Sequence, residues 1–234
     1  MKKTLGILGG MGPMATADLL IKIVSLTRAD SDAEHIRIFI DNNAQIPDRT
    51  AALLSGGADP VPEMLSALRN LEKCGADLVV MPCNTAHCFL PQLQAVSDTP
   101  FLSMPEISAR RCAELYPGKT ACVLATRGVL ATGLYGRVLD EAGVRHIEPD
   151  EREQDYLMHL IYDVVKATRP MQPEEDAWAA LLEGLRRRGA EVFLLACTEL
   201  PIVANSLSAE GPFLDPTQEL ARAAVLACGY ELNE

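Results

Sequence analysis

The chain has 234 residues and a formal net charge of −11, with 48% hydrophobic and 23% charged residues. That length can bury a sizeable core as one large domain or two small ones, in the composition range of a globular protein. The acidity argues against nucleic-acid binding through a basic surface, and no apolar run approaches the ~18–20 residues that span a bilayer.

Residues 5–8 (Leu-Gly-Ile-Leu) read as a first core strand. Residues 1–10 have the basic-then-apolar order of a signal peptide. The apolar stretch is too short for one, and Gly9-Gly10-Met11-Gly12-Pro13 breaks it, so a cytoplasmic protein is expected. A helix should follow that glycine-rich loop. Residues 36–40 (Ile-Arg-Ile-Phe-Ile) read as a strand, and residues 42–60 as a loop without helical or strand periodicity that carries Gln45, Asp48 and Arg49. Met64, Leu65, Leu68 and Leu71 give residues 61–74 the spacing of an amphipathic helix. A buried strand then runs into Cys83. Helices are expected at 86–96, 105–115, 132–142 and 156–168, the last ending before Pro170. Trp178, Leu181, Leu182 and Leu185 place another at 174–187, ahead of a second buried strand that runs into Cys197. A terminal helix at 216–228 has Gly229 as its C-cap.

The chain repeats itself. Gly75-Ala76-Asp77 leads through an apolar run to Cys83, and Gly189-Ala190-Glu191 leads through another to Cys197, at a constant offset of 114. Lys3, Thr4, Leu8, Gly12, Ala15 and Thr16 recur as Lys119, Thr120, Leu124, Gly128, Ala131 and Thr132, at an offset of 116. Strands alternating with helices imply a parallel α/β fold. The duplication implies two similar parallel-sheet α/β units related by an approximate two-fold axis, with the active site between them. Their expected extents are 1–100 plus 212–234, and 101–211.

Each of the two cysteines is delivered by a buried strand to the C-terminal edge of a sheet, where open α/β sheets bind ligands. A helix opening after each would place its positive end near the sulfur and favour the thiolate, of which a free thiol of pKa about 8.5 holds only a few per cent at neutral pH. Seven cysteines are an odd count for a disulfide framework and read as free thiols. Cys74, Cys88, Cys112, Cys122 and Cys228 have apolar neighbours and read as packing residues. Cys83 and Cys88 lack the usual zinc spacing and no Cys/His cluster accompanies them, so no metal is expected. His87 reads as a satisfied structural residue.

Taken together, Gly6-Ile7-Leu8-Gly9-Gly10-Met11-Gly12-Pro13, Cys83-Asn84-Thr85-Ala86-His87 and Ala196-Cys197-Thr198-Glu199-Leu200-Pro201 resemble the aspartate branch of the cofactor-independent aspartate/glutamate racemase family. The second cysteine motif has Glu199 where the glutamate racemase branch usually has histidine. The resemblance covers essentially the whole chain and implies interconversion of L- and D-aspartate, glutamate or both, without a cofactor. One thiolate would take the α-proton from one face while the opposing thiol, Cys83 or Cys197, returns a proton to the other. Charge developing on the carboxylate needs preorganised donors, for which Asn84, Thr85 and Thr198 are candidates. Arg49 matches a substrate-binding arginine and Lys166 a lysine used similarly. Met11, Gln45, Ala86, Thr126 and Thr132 are carried over as further substrate-binding positions, although Arg127 departs from the family pattern. Glu199 is carried over too. From its position it either tunes or orients Cys197, or serves only as a first-turn helix acid. The implied partners are a small amino-acid substrate and a second copy of the chain in a homodimer, with neither nucleic acid nor membrane. Two alternatives remain. One is a related isomerase or decarboxylase of small diacids, or a hydantoin racemase. The other is a non-enzymatic thiol redox or ligand-binding protein.

Overall fold

A computed structural model of the chain describes residues 2–207 and 211–233. It divides into two α/β units, Met1–Ile107 with Thr217–Glu234, and Ser108–Pro216. These breaks fall a few residues beyond the boundaries expected from the sequence.

The first unit holds a parallel sheet of β1 (Leu5–Gly9), β2 (Ile38–Asn42) and β3 (Leu78–Val80), in the order β2-β1-β3. A parallel bridge between Val79 and Phe101 extends it beyond β3. The second unit holds β4 (Thr120–Ala125), β5 (Arg145–Ile147), β6 (Val192–Ala196) and β7 (Phe213–Leu214), in the order β5-β4-β6-β7. The two orders match strand for strand, with the Phe101 bridge in the place of β7. The duplication read from the sequence is therefore a duplication of topology.

Both sheets are covered on both faces, which is why β1, β3, β4 and β6 are nearly continuous buried runs rather than alternating ones. In the first unit Leu5, Ile7, Leu78 and Val80 pack with Leu19, Ile23, Leu220 and Val225, while Leu8, Val79 and Met81 pack on the other side with Met64, Leu68 and Leu93. In the second, Cys122, Leu124, Phe193 and Leu195 join Leu157, Val164 and Trp178, while Val123, Ala125, Leu194 and Ala196 join Tyr135, Val138 and Leu139. Each sheet carries helices on its two faces, the arrangement of a doubly wound unit.

The helices at Val61–Lys73, Met104–Leu115, Glu175–Arg187 and Pro216–Ala227 lie within a residue or so of their expected positions. Gly229 has φ +80° and its N–H reaches the Leu226 carbonyl at 3.0 Å, the geometry of a glycine C-cap. Other elements differ from expectation for local reasons. The strand expected at 36–40 runs at Ile38–Asn42, because the pairing with β1 begins at Leu5 opposite Ile38. The loop at 42–60 contains a short helix, Arg49–Leu54, whose N-cap Asp48 accepts the Ala51 N–H at 2.7 Å. The helix expected at 86–96 is a 3₁₀ helix, Thr85–Phe89, followed by Leu90–Gln94. Pro91 has no N–H with which to continue an α ladder through that point.

The helix expected at 132–142 runs at Leu134–Glu141, with Gly133 at φ +62° as its N-cap, and a further short helix, Arg127–Ala131, precedes it where a loop was expected. The helix expected from residue 156 begins at Glu151. Asp150 caps it reciprocally with Glu153, and the helix then widens into a π-helical segment, Leu160–Val165. Among the described residues no helix is long and apolar enough to cross a membrane.

Candidate active site

In the first unit Ile7 pairs with Val80. Three residues further along the chain from each, the Gly10 loop and Cys83 lie at the same edge of the sheet. Cys83 is 6% exposed and packs on the same face of the sheet as Met11, Ile46 and Ala86. Its N–H donates to the Met81 carbonyl at 2.9 Å. Its carbonyl receives Nδ1–H of the buried His87 at 2.9 Å, while His87 Nε2 accepts the Met104 N–H at 3.1 Å. Both ring nitrogens are thus used with the proton on Nδ1, and the imidazole clamps the backbone of the cysteine turn. Asn84, Thr85 and Ala86 follow and are all buried.

Burial holds the His87 pKa below its ordinary value, against the raising influence of the Cys83 carbonyl and Glu106. The folded state therefore binds a proton here less readily than the unfolded chain. The resulting stability is complete above pH 6.5 and is lost as pH falls from there toward the folded pKa. Urea unfolding at pH 7.5 and at pH 5.5 should show lower stability at pH 5.5. His87→Gln should flatten that difference, whereas an unchanged slope would contradict a neutral, buried imidazole.

Arg49 is buried as well. Nη1 donates to the carbonyls of Ile46 and Pro47 at 3.2 and 2.9 Å, and Nη2 donates to the Met11 carbonyl at 2.9 Å. The guanidinium therefore joins the loop after β1 to the loop after β2, both of which leave the same end of the sheet. Gln45 is exposed on the second of these loops, its N–H held by Asn43 Oδ1 at 3.0 Å.

In the second unit Ala125 pairs with Ala196, so Thr126 and Cys197 leave the sheet side by side. Cys197 is 7% exposed, and its Sγ lies 3.0 Å from Oε2 of Glu199, which is 5% exposed. The buried Thr198 donates its hydroxyl to the same carboxylate oxygen at 3.3 Å. The helix after Cys197 begins only at Leu200, with Glu199 at its N-cap. The thiolate-favouring setting expected at this cysteine is not what the structure has. Burial pushes the Cys197 thiol well above its ordinary pKa and the Glu199 carboxylate adds to this. Lys166 and the Glu199 backbone N–H act in the opposite sense. After Cys83 a 3₁₀ turn stands where an α-helix was expected.

Thr126 is buried and caps its short helix by accepting the Val129 N–H at 3.3 Å. Thr132 is exposed and its hydroxyl donates to the Val129 carbonyl at 2.9 Å. Lys166 is exposed just beyond the π-helical segment, with Nζ 4.1 Å from the centre of the Tyr162 ring. Arg127 pairs with Asp155, and its backbone N–H faces Met158 Sδ at 3.4 Å.

The structure thus joins Met11 to Arg49, sets Cys83 beside Asn84, Thr85 and Ala86, and joins Cys197 to Thr198 and Glu199. It leaves Gln45 and Thr132 on exposed loops. It also reveals a residue that sequence reasoning passed over. Gln154 is 5% exposed and donates Nε2 to the Ala125 carbonyl at 2.9 Å, which fixes the end of β4 just before Thr126. Its signature was present in the sequence. Gln154, Leu157, Ile161 and Val164 form one helical stripe, and a lone amide in an apolar stripe marks a buried hydrogen bond.

Of the remaining thiols, burial pushes Cys112 and Cys228 up to about 11 and Cys122 up to about 12, so these three are protonated packing residues. Cys88 is half-buried against the first unit's core, while Cys74 is exposed, contrary to the expectation that it packs inside. Among the described residues no group of three or more His, Cys, Asp or Glu side chains could hold a metal ion.

The family model described as Asp/Glu/hydantoin racemase matches residues 8–224. A broad specificity amino-acid racemase of Bacillus subtilis (strain 168) is 26% identical over 234 residues, covering 94% of this chain and 96% of that one. The structure of an aspartate racemase from Picrophilus torridus superposes with a TM-score of 0.83 at 30% identity, over 99% of this chain and 96% of that one. That of an aspartate racemase homologue from Pyrococcus horikoshii OT3 has a TM-score of 0.77 at 20% identity, over 97% and 99%, which speaks for the fold.

Proposed function

The chain belongs to the Asp/Glu/hydantoin racemase family, and we propose that it racemises an acidic amino acid by proton exchange between Cys83 and Cys197. It is an isomerase of the amino-acid racemase kind. The finer reading is carried by one observation: both duplicated sheets end in a buried cysteine followed by buried polar residues, Asn84 and Thr85 in one and Thr198 and Glu199 in the other. Packing alone does not call for polar groups behind both sulfurs at matched positions, since each buried polar group must find a hydrogen-bond partner or lose stability.

In the proposed reaction one sulfur removes the α-proton as a thiolate. The C–H electron pair passes into the substrate carboxylate, and the other sulfur returns a proton to the opposite face of the carbon. Reversal exchanges the two roles, so like residues serve both directions. Asn84 and Thr85, together with the backbone N–H of Thr198, are assigned to donate hydrogen bonds to the developing carboxylate charge. Arg49 and Lys166 are assigned to attract the substrate's carboxylates, as in the family resemblance. Arg49 would do so from a guanidinium already fixed by the Met11, Ile46 and Pro47 carbonyls, which lowers the ordering cost of binding. Met11, Gln45, Ala86, Thr126 and Thr132 complete the proposed substrate-binding set, and Thr126 would owe its position to Gln154.

The substrate assignment is tested by ¹H NMR in D₂O with L-aspartate, L-glutamate, neutral amino acids, maleate, arylmalonate and a hydantoin, combined with chiral chromatography. Loss of the α-proton signal with appearance of the D enantiomer is expected for aspartate or glutamate. Turnover confined to a diacid or a hydantoin would replace this reading with another reaction of the family.

A further inference from the structure

We propose that Glu199 holds Cys197 as the protonated member of the pair, so that the free enzyme rests with a thiol at Cys197 and accepts its first proton at Cys83. This rests on the two-cysteine reading above, but its test does not need turnover.

Cys197 Sγ and Glu199 Oε2 are 3.0 Å apart, and both residues are buried. At that separation, with water excluded, a thiol can donate to a carboxylate, whereas a thiolate would face a like charge. The Thr198 hydroxyl donates to the same oxygen at 3.3 Å and helps hold the carboxylate in place. Two other groups bear on the sulfur. Lys166 opposes Glu199 from an exposed position, and Tyr135 is a buried neutral phenol hydrogen-bonded to Ser108. The carboxylate is buried against the sulfur, whereas the cation acts from an exposed position. On the other side, the residues that follow Cys83 are Asn84, Thr85 and Ala86, none of them acidic. The duplicated thiols are therefore chemically unequal.

In the favoured turnover the Cys83 sulfur accepts the α-proton and the C–H electron pair passes into the substrate carboxylate. The Cys197 S–H bond then breaks toward carbon and its electron pair stays on sulfur. The cycle ends with a thiol at Cys83 and a thiolate beside Glu199. One proton must leave Cys83 to solvent, and one must return from solvent to Cys197, before the same direction can begin again. Repulsion between thiolate and carboxylate drives that return.

The test is the rate of iodoacetamide labelling at each sulfur, resolved by peptide mass spectrometry at pH 7.5. Glu199→Gln keeps the shape and removes the charge. It should speed labelling of Cys197 by about tenfold or more, leave Cys83 unchanged, and leave Glu199→Asp within about threefold of the native protein. Unchanged Cys197 labelling in Glu199→Gln would overturn the proposal in favour of a structural role. Slower labelling would overturn it in favour of a base that activates the thiol. Should Glu199→Gln fail to fold by circular dichroism, the native pH profile decides. Cys197 labelling must then have its midpoint well above the pH of about 8.5 typical of a free thiol, and a midpoint at or below that value overturns the proposal. Failure of the racemase reading would show instead in the substrate survey, with these labelling rates unaffected.

Discussion

Replacing Cys83 or Cys197 by serine should each lower kcat for racemisation by about 10²–10⁴-fold in both directions, the usual worth of a positioned proton-transfer group. A serine hydroxyl is far too weak an acid to supply the alkoxide that would stand in for the thiolate. Because the two groups act as a unit, the double variant should be little worse than either single one. The structure supplies the folding control. Both sulfurs are buried at the ends of strands, and serine differs from cysteine by little volume, so circular dichroism and urea midpoints should stay close to native. Binding of an unreactive dicarboxylate should likewise survive, since Arg49 and Lys166 are untouched. A serine variant that folds and racemises at the native rate in either direction would remove that cysteine from the mechanism.

Gly10→Ala should destabilise the protein by roughly 2–5 kcal/mol and reduce activity at the same time. Gly10 has φ +90°, and a Cβ placed on it would lie 2.3 Å from both the backbone carbon and the carbonyl oxygen of Asn43 and 2.7 Å from Ala44 N. Those neighbours are backbone, so they cannot swing aside as the end of a flexible side chain would. Relief must come from shifting the loop after β2, and that loop carries Ile46, Pro47 and Arg49. The Met11 carbonyl, which receives Arg49 Nη2, is the next along the chain. The cost should therefore appear as a lower urea midpoint together with a raised KM for a dicarboxylic substrate. Gly75→Ala makes the comparison. Gly75 also has a positive φ, +87°, but open space where its Cβ would stand, so only backbone strain is expected there. Equal costs at the two positions would mean that the close approach to Asn43 is not what demands glycine.

The legibility of this chain varied with the range of the interactions concerned. The strands leading to Cys83 and Cys197 were readable because burial on both faces turns them into unbroken apolar runs, and the repeat at a fixed offset showed that one topology occurs twice. The helices with clean stripes, such as Val61–Lys73 and Glu175–Arg187, fell where their periodicity placed them. Structure and expectation part where a capping or proline rule, or a long-range contact, decides the outcome. The Asp150–Glu153 capping box was visible in the sequence and sets the start of its helix five residues before the apolar stripe. Pro91 divides what periodicity alone treats as one helix, and the short helix Arg127–Ala131 fills a stretch expected as loop.

At the site, the residue types were legible and their partners were not. Nothing in the local sequence says that the Arg49 guanidinium reaches the Met11 carbonyl, 38 positions earlier, or that Gln154 secures Ala125. At Cys197, where a helix N-terminus was expected to favour the thiolate, burial and a carboxylate two residues away push the thiol up instead. That carboxylate was in view, but whether it would turn toward the sulfur or toward solvent depended on the tertiary fold.

The most direct test follows the α-hydrogen of L-aspartate or L-glutamate, whichever turns over, in D₂O at early conversion. A two-sided exchange predicts that nearly every molecule of the D product carries deuterium while the unreacted L substrate keeps its protium. The hydrogen is taken by one sulfur, and its replacement comes from the solvent-equilibrated other. Deuterium entering recovered L substrate as fast as it enters product, or a product that retains the original protium, would contradict the assignment of Cys83 and Cys197 to opposite faces of one carbon.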